Sequence, residues 1–226
     1  MRARAFLTAL LLPGALLAQA PPPKELPPVA TTALVRSVEA AARHTRHVWR
    51  DSPPLNADGT VNGYIEIPRG DRRKFEFDMR ANRRAIDRVI PQKIGGYPVN
   101  YGFVPQTVSY DGDPFDVLVL GPPLAGGALI RGAIVGLMHM EDEKGLDSKV
   151  VLSPVGPTGR PRFELTAQRQ QEIGDYFRRY KQGEPGKFSK VPGWGSIAEG
   201  REYVATAHAF FVKCRDRAGA PCRIAD

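Results

Sequence analysis

Residues 111–120 read Asp-Gly-Asp-Pro-Phe-Asp-Val-Leu-Val-Leu, so three carboxylates fall within six residues, directly before an apolar run. The run is short and partly β-branched, which predicts a buried strand. Gly112 and Pro114 interrupt regular structure, so the acids are predicted to lie on a turn that enters this strand. Carboxylates this close repel one another, and a proton or a cation must relieve the repulsion. Hard divalent cations such as Mg²⁺ take oxygen ligands of this kind.

An ordinary turn is the alternative interpretation of the same stretch. Asp side chains in Asp-Gly turns commonly accept hydrogen bonds from their own backbone, and this use needs no metal. The stretch alone therefore leaves a metal site and a structural turn open, and the rest of the chain has to distinguish them.

The first 20 residues have the pattern of a secretory signal peptide. Arg2 and Arg4 give a charged start, a mostly apolar segment follows, and residues 18–20 form the A-x-A cleavage site Ala-Gln-Ala. The apolar segment is too short to span a bilayer, and no cysteine follows the cleavage site, so we expect no membrane anchor. We predict an exported protein, periplasmic or secreted, whose mature chain begins near Pro21.

The charge balance limits the partners only weakly. The chain carries 32 Lys and Arg against 24 Asp and Glu, a formal net charge of +8, and loss of Arg2 and Arg4 with the signal peptide leaves +6. A basic protein attracts nucleic acid, anionic surfaces and small polyanions alike, so the sign of the charge does not choose among them.

Two segments outside the main domain are predicted separately. Residues 21–59 form an extension, with an extended proline-rich linker over 21–30 and an amphipathic helix over 31–50. Its histidines at 44 and 47 are interpreted as solvated, because no third metal ligand is visible. Residues 214–226 form a tail in which Cys214 and Cys222 predict a disulfide, with two free thiols as the alternative. Because the pair lies beyond the domain, we expect its loss to affect catalysis little.

The main domain is predicted over residues 60–213. From Val61 the apolar pattern has a period of two, and in 64–67 two isoleucines share one face while Glu66 points the other way. Further strands are predicted over 117–120, 133–140 and 149–155, and helices over 165–180 and after Ser196. This order predicts an α+β fold, a small closed OB-like β-barrel with helices packed outside.

A second acidic group and several cations accompany the first stretch. Residues 141–149 read Glu-Asp-Glu-Lys-Gly-Leu-Asp-Ser-Lys, which predicts a hairpin with Asp142 and Asp147 on either side of its turn. Alone, such a segment is most often a charged surface hairpin. Lys and Arg bind phosphate oxygens by charge-assisted hydrogen bonds, and Tyr adds a neutral donor. The candidates of these types are Lys74, Arg88, Tyr97, Tyr101, Lys149, Tyr180 and Lys181.

Short motifs in a fixed order carry a family resemblance. They are Ile-Glu-Ile-Pro at 65–68, Lys-Phe-Glu at 74–76, Asp-Arg at 87–88, Tyr-Pro-Val-Asn-Tyr-Gly-Phe at 97–103, the acidic stretch at 111–116 and Tyr-Lys at 180–181. Together they strongly resemble the soluble inorganic pyrophosphatases of family I over about residues 60–213. The resemblance implies an OB-like barrel that hydrolyses pyrophosphate with several Mg²⁺ ions.

The resemblance also implies a role for each motif residue. The principal metals would be held by Asp111, Asp116 and Asp147. Further metals would be held by Asp142, Glu66 and Glu76. Asp113 resembles the general base, and Tyr97 matches a tyrosine near the metal site. The phosphates would be bound by Lys74, Arg88, Tyr101, Lys149, Tyr180 and Lys181.

Other functions remain open at this point. An exported OB-type module that binds nucleic acid would suit the positive charge and the aromatic residues, but the acidic cluster would repel phosphates unless metals were bound. A phosphohydrolase for larger phosphoanhydrides and an inactive family member are further alternatives. We expect a homo-oligomer that acts on pyrophosphate and has no nucleic-acid partner.

Overall fold

The structure is a computed structural model that describes residues 21–224; the predicted signal peptide lies outside the described residues. The strands are β1 (Glu25–Leu26), β2 (Val61–Ile67), β3 (Arg73–Asp78), β4 (Arg83–Val89), β5 (Asn100–Phe103), β6 (Asp116–Val119), β7 (Leu129–Asp142), β8 (Gly145–Leu146), β9 (Lys149–Pro154), β10 (Ser189–Gly195) and β11 (Cys222–Arg223). The helices are α1 (Pro28–Ala41), α2 (Val48–Asp51), α3 (Ala167–Arg179) and α4 (Ile197–Cys214).

The central sheet closes on itself. Its strand order is β10-β7-β2-β5-β6-β9, and β7 pairs with β9 as well as with β2. Strands β7, β2, β5, β6 and β9 therefore form a closed ring, in which only β6 and β9 run parallel. Strands β3 and β4 form a separate hairpin. The predicted α+β class with a closed sheet and helices outside is confirmed.

Alternate residues of the ring strands supply two cores. Val117 and Val150 belong to a core that includes Val204 of α4. Leu118 and Val151, one residue further along the same strands, belong to a second core that includes Phe177 of α3. This alternation is the period of two seen in the sequence, and it fixes α3 and α4 to the sheet.

The extension differs from its prediction. One helix was expected over 31–50, but α1 begins at Pro28, a residue favoured in the first turn of a helix, and ends at Ala41. The Arg50 guanidinium donates to the carbonyls of Ala41 (2.7 Å) and His44 (3.1 Å), which holds the chain in a bend before α2. His47 is buried rather than solvated, and its ring bonds to the Met79 carbonyl at 3.0 Å.

The predicted linker and tail pair with each other. Leu26 of β1 lies opposite Cys222 of β11 and α1 begins at Pro28, so residues 21–30 are not a free linker. The predicted disulfide is present, with Cys214 and Cys222 Cα atoms 5.8 Å apart. Leu26 and both cysteines are buried in a third core with Trp49 of α2. The extension and the tail thus pack onto the main domain.

In residues 21–224, none of the helices has both the length and the apolar character that crossing a membrane requires.

Candidate active site

A cleft of about 270 Å³ collects the predicted site residues. Its walls come from the β3–β4 hairpin, the loop at 109–116, the β7–β8 hairpin and the C-terminal end of α3. The predicted residues that line it are Glu66, Lys74, Glu76, Arg88, Tyr97, Tyr101, Asp111, Asp113, Asp116, Asp142, Asp147, Tyr180 and Lys181. Lys149 is the one predicted residue that does not line the cleft.

The acidic loop is held by its own backbone. The Ser109 N–H donates to the Asp113 carbonyl (2.6 Å), and the Gly112 N–H donates to the Ser109 carbonyl (3.0 Å). Gly112 has a φ of +93°, a conformation that favours glycine. The Asp113 N–H donates to the Asp111 carboxylate at 3.1 Å. The turn interpretation is therefore correct for Asp111, and the same turn presents both carboxylates to the cleft.

Lys144 bridges the two loop carboxylates. Its ammonium lies 3.2 Å from both the Asp111 and the Asp113 carboxylates. Desolvation would raise the pKa of Asp111, but the charge of Lys144 and the hydrogen bonds from Asp113 and Lys144 together outweigh it, so this pKa lies below its usual range. Desolvation and the neighbouring Asp111 charge raise the pKa of Asp113 to about 6. Lys144 was predicted only as a residue of the hairpin turn, because its contacts with the loop at 109–116 are long-range.

Lys149 lies beneath the acids instead of in the cleft. Its side chain is 1% exposed, and its ammonium contacts Asp116 at 2.5 Å and Asp147 at 2.7 Å. The Tyr101 hydroxyl also donates to Asp116, at 2.6 Å. Burial and the Asp116 charge raise the pKa of Asp147 to about 7 despite the nearby ammonium. Lys149 therefore positions two carboxylates in this structure, and its contact with phosphate stays a prediction.

Glu66 is a buried acid at the back of the cleft. It lies on β2 between two core isoleucines and is 7% exposed. Burial, followed by the charge of Asp116, raises its pKa well above the usual range. Glu76, by contrast, has a side chain that is 61% exposed, and it pairs with Lys74. The two predicted glutamates thus differ sharply in solvation.

The cations of the cleft are paired with acids. Lys74 lies 3.3 Å from Asp87, and Arg88 contacts both Asp87 (3.2 Å) and Glu184 (3.0 Å). Asp87 was quoted within a motif but given no role, and Glu184 had no motif signal. The ion pairs neutralise cations that would otherwise repel one another.

Lys181 closes the second acidic group. Its side chain is 8% exposed, and its ammonium contacts Asp142 at 2.7 Å and Glu143 at 2.8 Å. Glu143 also lines the cleft. It was not predicted as a site residue, although it adjoins Asp142. The predicted hairpin is confirmed by the pairing of Asp142 with Gly145.

Tyrosines form the apolar floor. Tyr97 is 1% exposed, and its ring lies 5.0 Å from that of Tyr176 and 5.5 Å from that of Tyr101. Burial is the main cause that raises the pKa of Tyr97 and Tyr101. Both phenols therefore stay neutral, and Tyr101 can act as a hydrogen-bond donor.

The donor set of the cleft consists of carboxylate oxygens, a ligand type that suits Mg²⁺. Within residues 21–224, no three Asp, Glu, His or Cys side chains already converge into a metal site. Lys144 and Lys149 instead each hold a pair of carboxylates. Mg²⁺ prefers oxygen ligands, keeps several waters and often takes one or two carboxylates, so paired acids suit it.

Comparisons with known proteins agree with the geometry. The sequence model described as "Inorganic pyrophosphatase" matches residues 63–211. The inorganic pyrophosphatase of Saccharolobus solfataricus is 39% identical over 163 residues, which cover 69% of this chain and 94% of that protein. This chain belongs to the inorganic pyrophosphatase family. It is thus a member of an enzyme family, as the motifs indicated.

Further inorganic pyrophosphatases support the assignment. The protein of Pseudomonas aeruginosa is 39% identical over 157 residues, covering 66% of this chain and 89% of that protein. The crystal structure of inorganic pyrophosphatase from Thermus thermophilus matches with a TM-score of 0.66 and 35% identity, covering 73% of this chain and 99% of that chain. The extension at 21–59 and the tail at 214–226 lie outside the residues that the family model matches.

Proposed function

We propose that this protein hydrolyses inorganic pyrophosphate to two phosphates, with Mg²⁺ as its cofactor. The observation that carries the proposal is the composition of the cleft, where the acids of the two acidic groups share a small volume with Lys74, Arg88 and Lys181. Pyrophosphate is a small polyanion that these cations can bind. The acids would repel it unless divalent cations joined them, so the proposal includes a metal.

The acids are proposed to hold the metal. The residues that would hold Mg²⁺ are Asp111, Asp116 and Asp147, with Glu66, Glu76 and Asp142 as further ligands. When bound, Mg²⁺ supplies positive charge for phosphate oxygens and lowers the pKa of water. The Lys149 ammonium contacts both Asp116 and Asp147, and this shared contact fixes the separation of the two carboxylates.

The remaining side chains are proposed to move the proton and hold the phosphates. The Asp113 carboxylate accepts a proton from the attacking water. Lys74, Arg88 and Lys181 donate to phosphate oxygens and neutralise the charge that develops on the leaving phosphate. Each of these cations pairs with a carboxylate. Substrate binding therefore replaces existing ion pairs, and the cleft need not keep unpaired cations.

The test is phosphate release by the purified mature chain from pyrophosphate, tripolyphosphate, ATP and a phosphomonoester, each with and without Mg²⁺. We expect Mg²⁺-dependent turnover with pyrophosphate strongly preferred. Faster turnover of the longer phosphoanhydrides would contradict the substrate assignment. Salt-sensitive binding of single-stranded DNA without any turnover would instead favour the nucleic-acid module.

We also propose that the protein is exported and that it self-associates. Export is supported by the pattern of residues 1–20 and by the Cys214–Cys222 disulfide, a bond typical of oxidising compartments. Cell fractionation with intact-mass analysis tests it: a cytoplasmic protein that retains residues 1–20 would contradict export. The homo-oligomer is a prediction that sedimentation of the mature chain would check, and a monomer would contradict it.

A further inference from the structure

The extension at residues 21–59 packs directly on the acidic loop of the cleft, although the family model matches only residues 63–211. The contact involves both the tip of the loop at Gly112 and the segment at 106–107 that leads into it. The residues that the extension contributes to these contacts lie outside the range that the family model matches.

At the tip, α1 leaves no room beside Gly112. A Cβ placed on Gly112 would lie 2.6 Å from the Ala33 Cβ and 3.1 Å from the Ala30 Cα. The loop backbone therefore touches the helix surface at the residue between Asp111 and Asp113. Small side chains on α1 permit this approach, and any larger one at position 33 would push on the loop.

At the base, α2 holds the segment before the loop. The Trp49 indole N–H donates to the Thr107 carbonyl at 3.0 Å, and the Gln106 N–H donates to the Trp49 carbonyl at 2.8 Å. The Gln106 side chain also donates to the Arg50 carbonyl, at 2.8 Å. Trp49 is 1% exposed, so its indole bond to Thr107 forms in a dry environment where polar contacts are strong.

The disulfide loop fastens the start of the extension. The Thr31 hydroxyl donates to the Ala220 carbonyl at 2.8 Å, and the Gly219 N–H donates to the Thr32 hydroxyl at 3.0 Å. β1 pairs with β11 next to Cys222. These contacts of Thr31, Thr32 and β1 with the tail form a clip between the extension and the tail. Because Cys214 ends α4 of the main domain, the Cys214–Cys222 disulfide ties this clip to the domain.

We propose that the extension is a brace that positions Asp111 and Asp113 for hydrolysis, and that the Cys214–Cys222 disulfide holds the brace in place. This inference rests on the proposed function. The internal hydrogen bonds of the loop set its shape, and the contacts with α1 and α2 set its place in the cleft. A catalytic group misplaced by about 1 Å can cost roughly a hundredfold in rate. The sequence analysis expected loss of the disulfide to affect catalysis little, because it lies beyond the main domain; the brace predicts instead that its loss lowers the rate.

Ala33→Leu tests the brace at its contact with the tip. Leucine keeps a high helix propensity but adds three carbons where the approach is already close. The matched control is Arg36→Leu, which places the same side chain on an exposed part of α1. A Cys214→Ser/Cys222→Ser variant loosens the clip without changing any residue of the loop. It replaces Ala33→Leu as the test of the brace if Ala33→Leu does not fold. Each variant is made in the full mature chain.

Two readouts separate positioning from general damage. We expect kcat for pyrophosphate to fall about ten- to a hundredfold in Ala33→Leu, with KM changed much less, because the loop acts in the transition state. Hydrogen exchange measured by mass spectrometry should become faster for the amides at 109–113. The double serine variant should change both readouts in the same direction by less, and Arg36→Leu should match the wild type.

A folded Ala33→Leu variant with wild-type kcat would overturn the brace, whatever its exchange. Equal losses in Ala33→Leu and Arg36→Leu would also overturn it, since they would reflect the helix and not the contact. A wild-type protein without pyrophosphatase activity would defeat the proposed function and, with it, the catalytic purpose of the brace. Loop exchange would then still decide whether the extension holds the loop.

Discussion

Replacement of Lys149 by methionine tests how the site balances its charges. The side chain is 1% exposed, and its ammonium is shared by Asp116 and Asp147. Methionine keeps the length and apolar stem of the side chain but removes the charge. The two carboxylates would then face each other without a counter-ion.

The size of the effect follows from the burial of the three groups. Removing one partner of a buried ion pair costs about 3–5 kcal/mol. The carboxylates are 20% and 23% exposed, and Asp147 can take up a proton, so we expect the low end, about 3 kcal/mol. For a chain of this size about 1 kcal/mol shifts Tm by roughly 2–4 °C, so Tm should fall by about 6–12 °C.

Thermal unfolding with EDTA and with Mg²⁺ measures the effect. Mg²⁺ can supply the missing charge, so it should raise the Tm of Lys149→Met more than that of the wild type. Lys190→Met is the control, because Lys190 is exposed and 3.9 Å from Glu141, and its cost should stay within about 0.5 kcal/mol. An unchanged Tm in EDTA, or equal stabilisation of both proteins by Mg²⁺, would refute the reasoning.

The other predictions concern the base, the disulfide and a buried histidine. Asp113→Asn cannot accept a proton, so kcat should fall by roughly two to four powers of ten with little change in Mg²⁺ affinity; a pH–rate profile and a Mg²⁺ titration check this, and loss through metal release would contradict it. Intact mass before and after reduction and alkylation should show a Cys214–Cys222 bond, which two alkylatable thiols in fresh protein would rule out. Burial lowers the pKa of His139 despite the nearby Glu199, so the unfolded state binds its proton more readily. The free energy of unfolding should therefore keep its full value with respect to His139 above about pH 6.5 and decline below that pH. His139→Gln should flatten that decline in denaturant titrations, and an unchanged decline would contradict the assignment.

Local patterns predicted the sheet because burial imposes a period on each strand. Glu66 lies buried between Ile65 and Ile67 as predicted. The two isoleucines were predicted to share one face, but they belong to different cores, because the pairing of β2 with β5 shifts register between them. The strand was predicted over 133–140, but β7 is longer at both ends. Leu129 pairs with β2 at one end, and Asp142 pairs with β8 at the other. Such pairings join distant parts of the chain, so local periodicity could not show where the strand ends.

The site was predictable in composition but not in arrangement. Motifs identified the acids and most cations, but a positive charge alone does not reveal whether a lysine faces phosphate or lies beneath carboxylates, as Lys149 does. Lys144 was missed because its contacts with Asp111 and Asp113 form only when two loops meet. The packing of α1 on Gly112 is likewise a long-range contact without a local signal.

Metal-dependent hydrolysis in this cleft is tested most directly by the rate of phosphate release from pyrophosphate during a Mg²⁺ titration of the wild type and Asp116→Asn. We expect no release in excess EDTA and saturable activation by Mg²⁺ in the wild type. Asp116→Asn should need more Mg²⁺ and recover only part of the rate, because it loses a charge proposed to hold the metal. Equal turnover of the wild type in EDTA and in Mg²⁺ would contradict the metal-dependent mechanism.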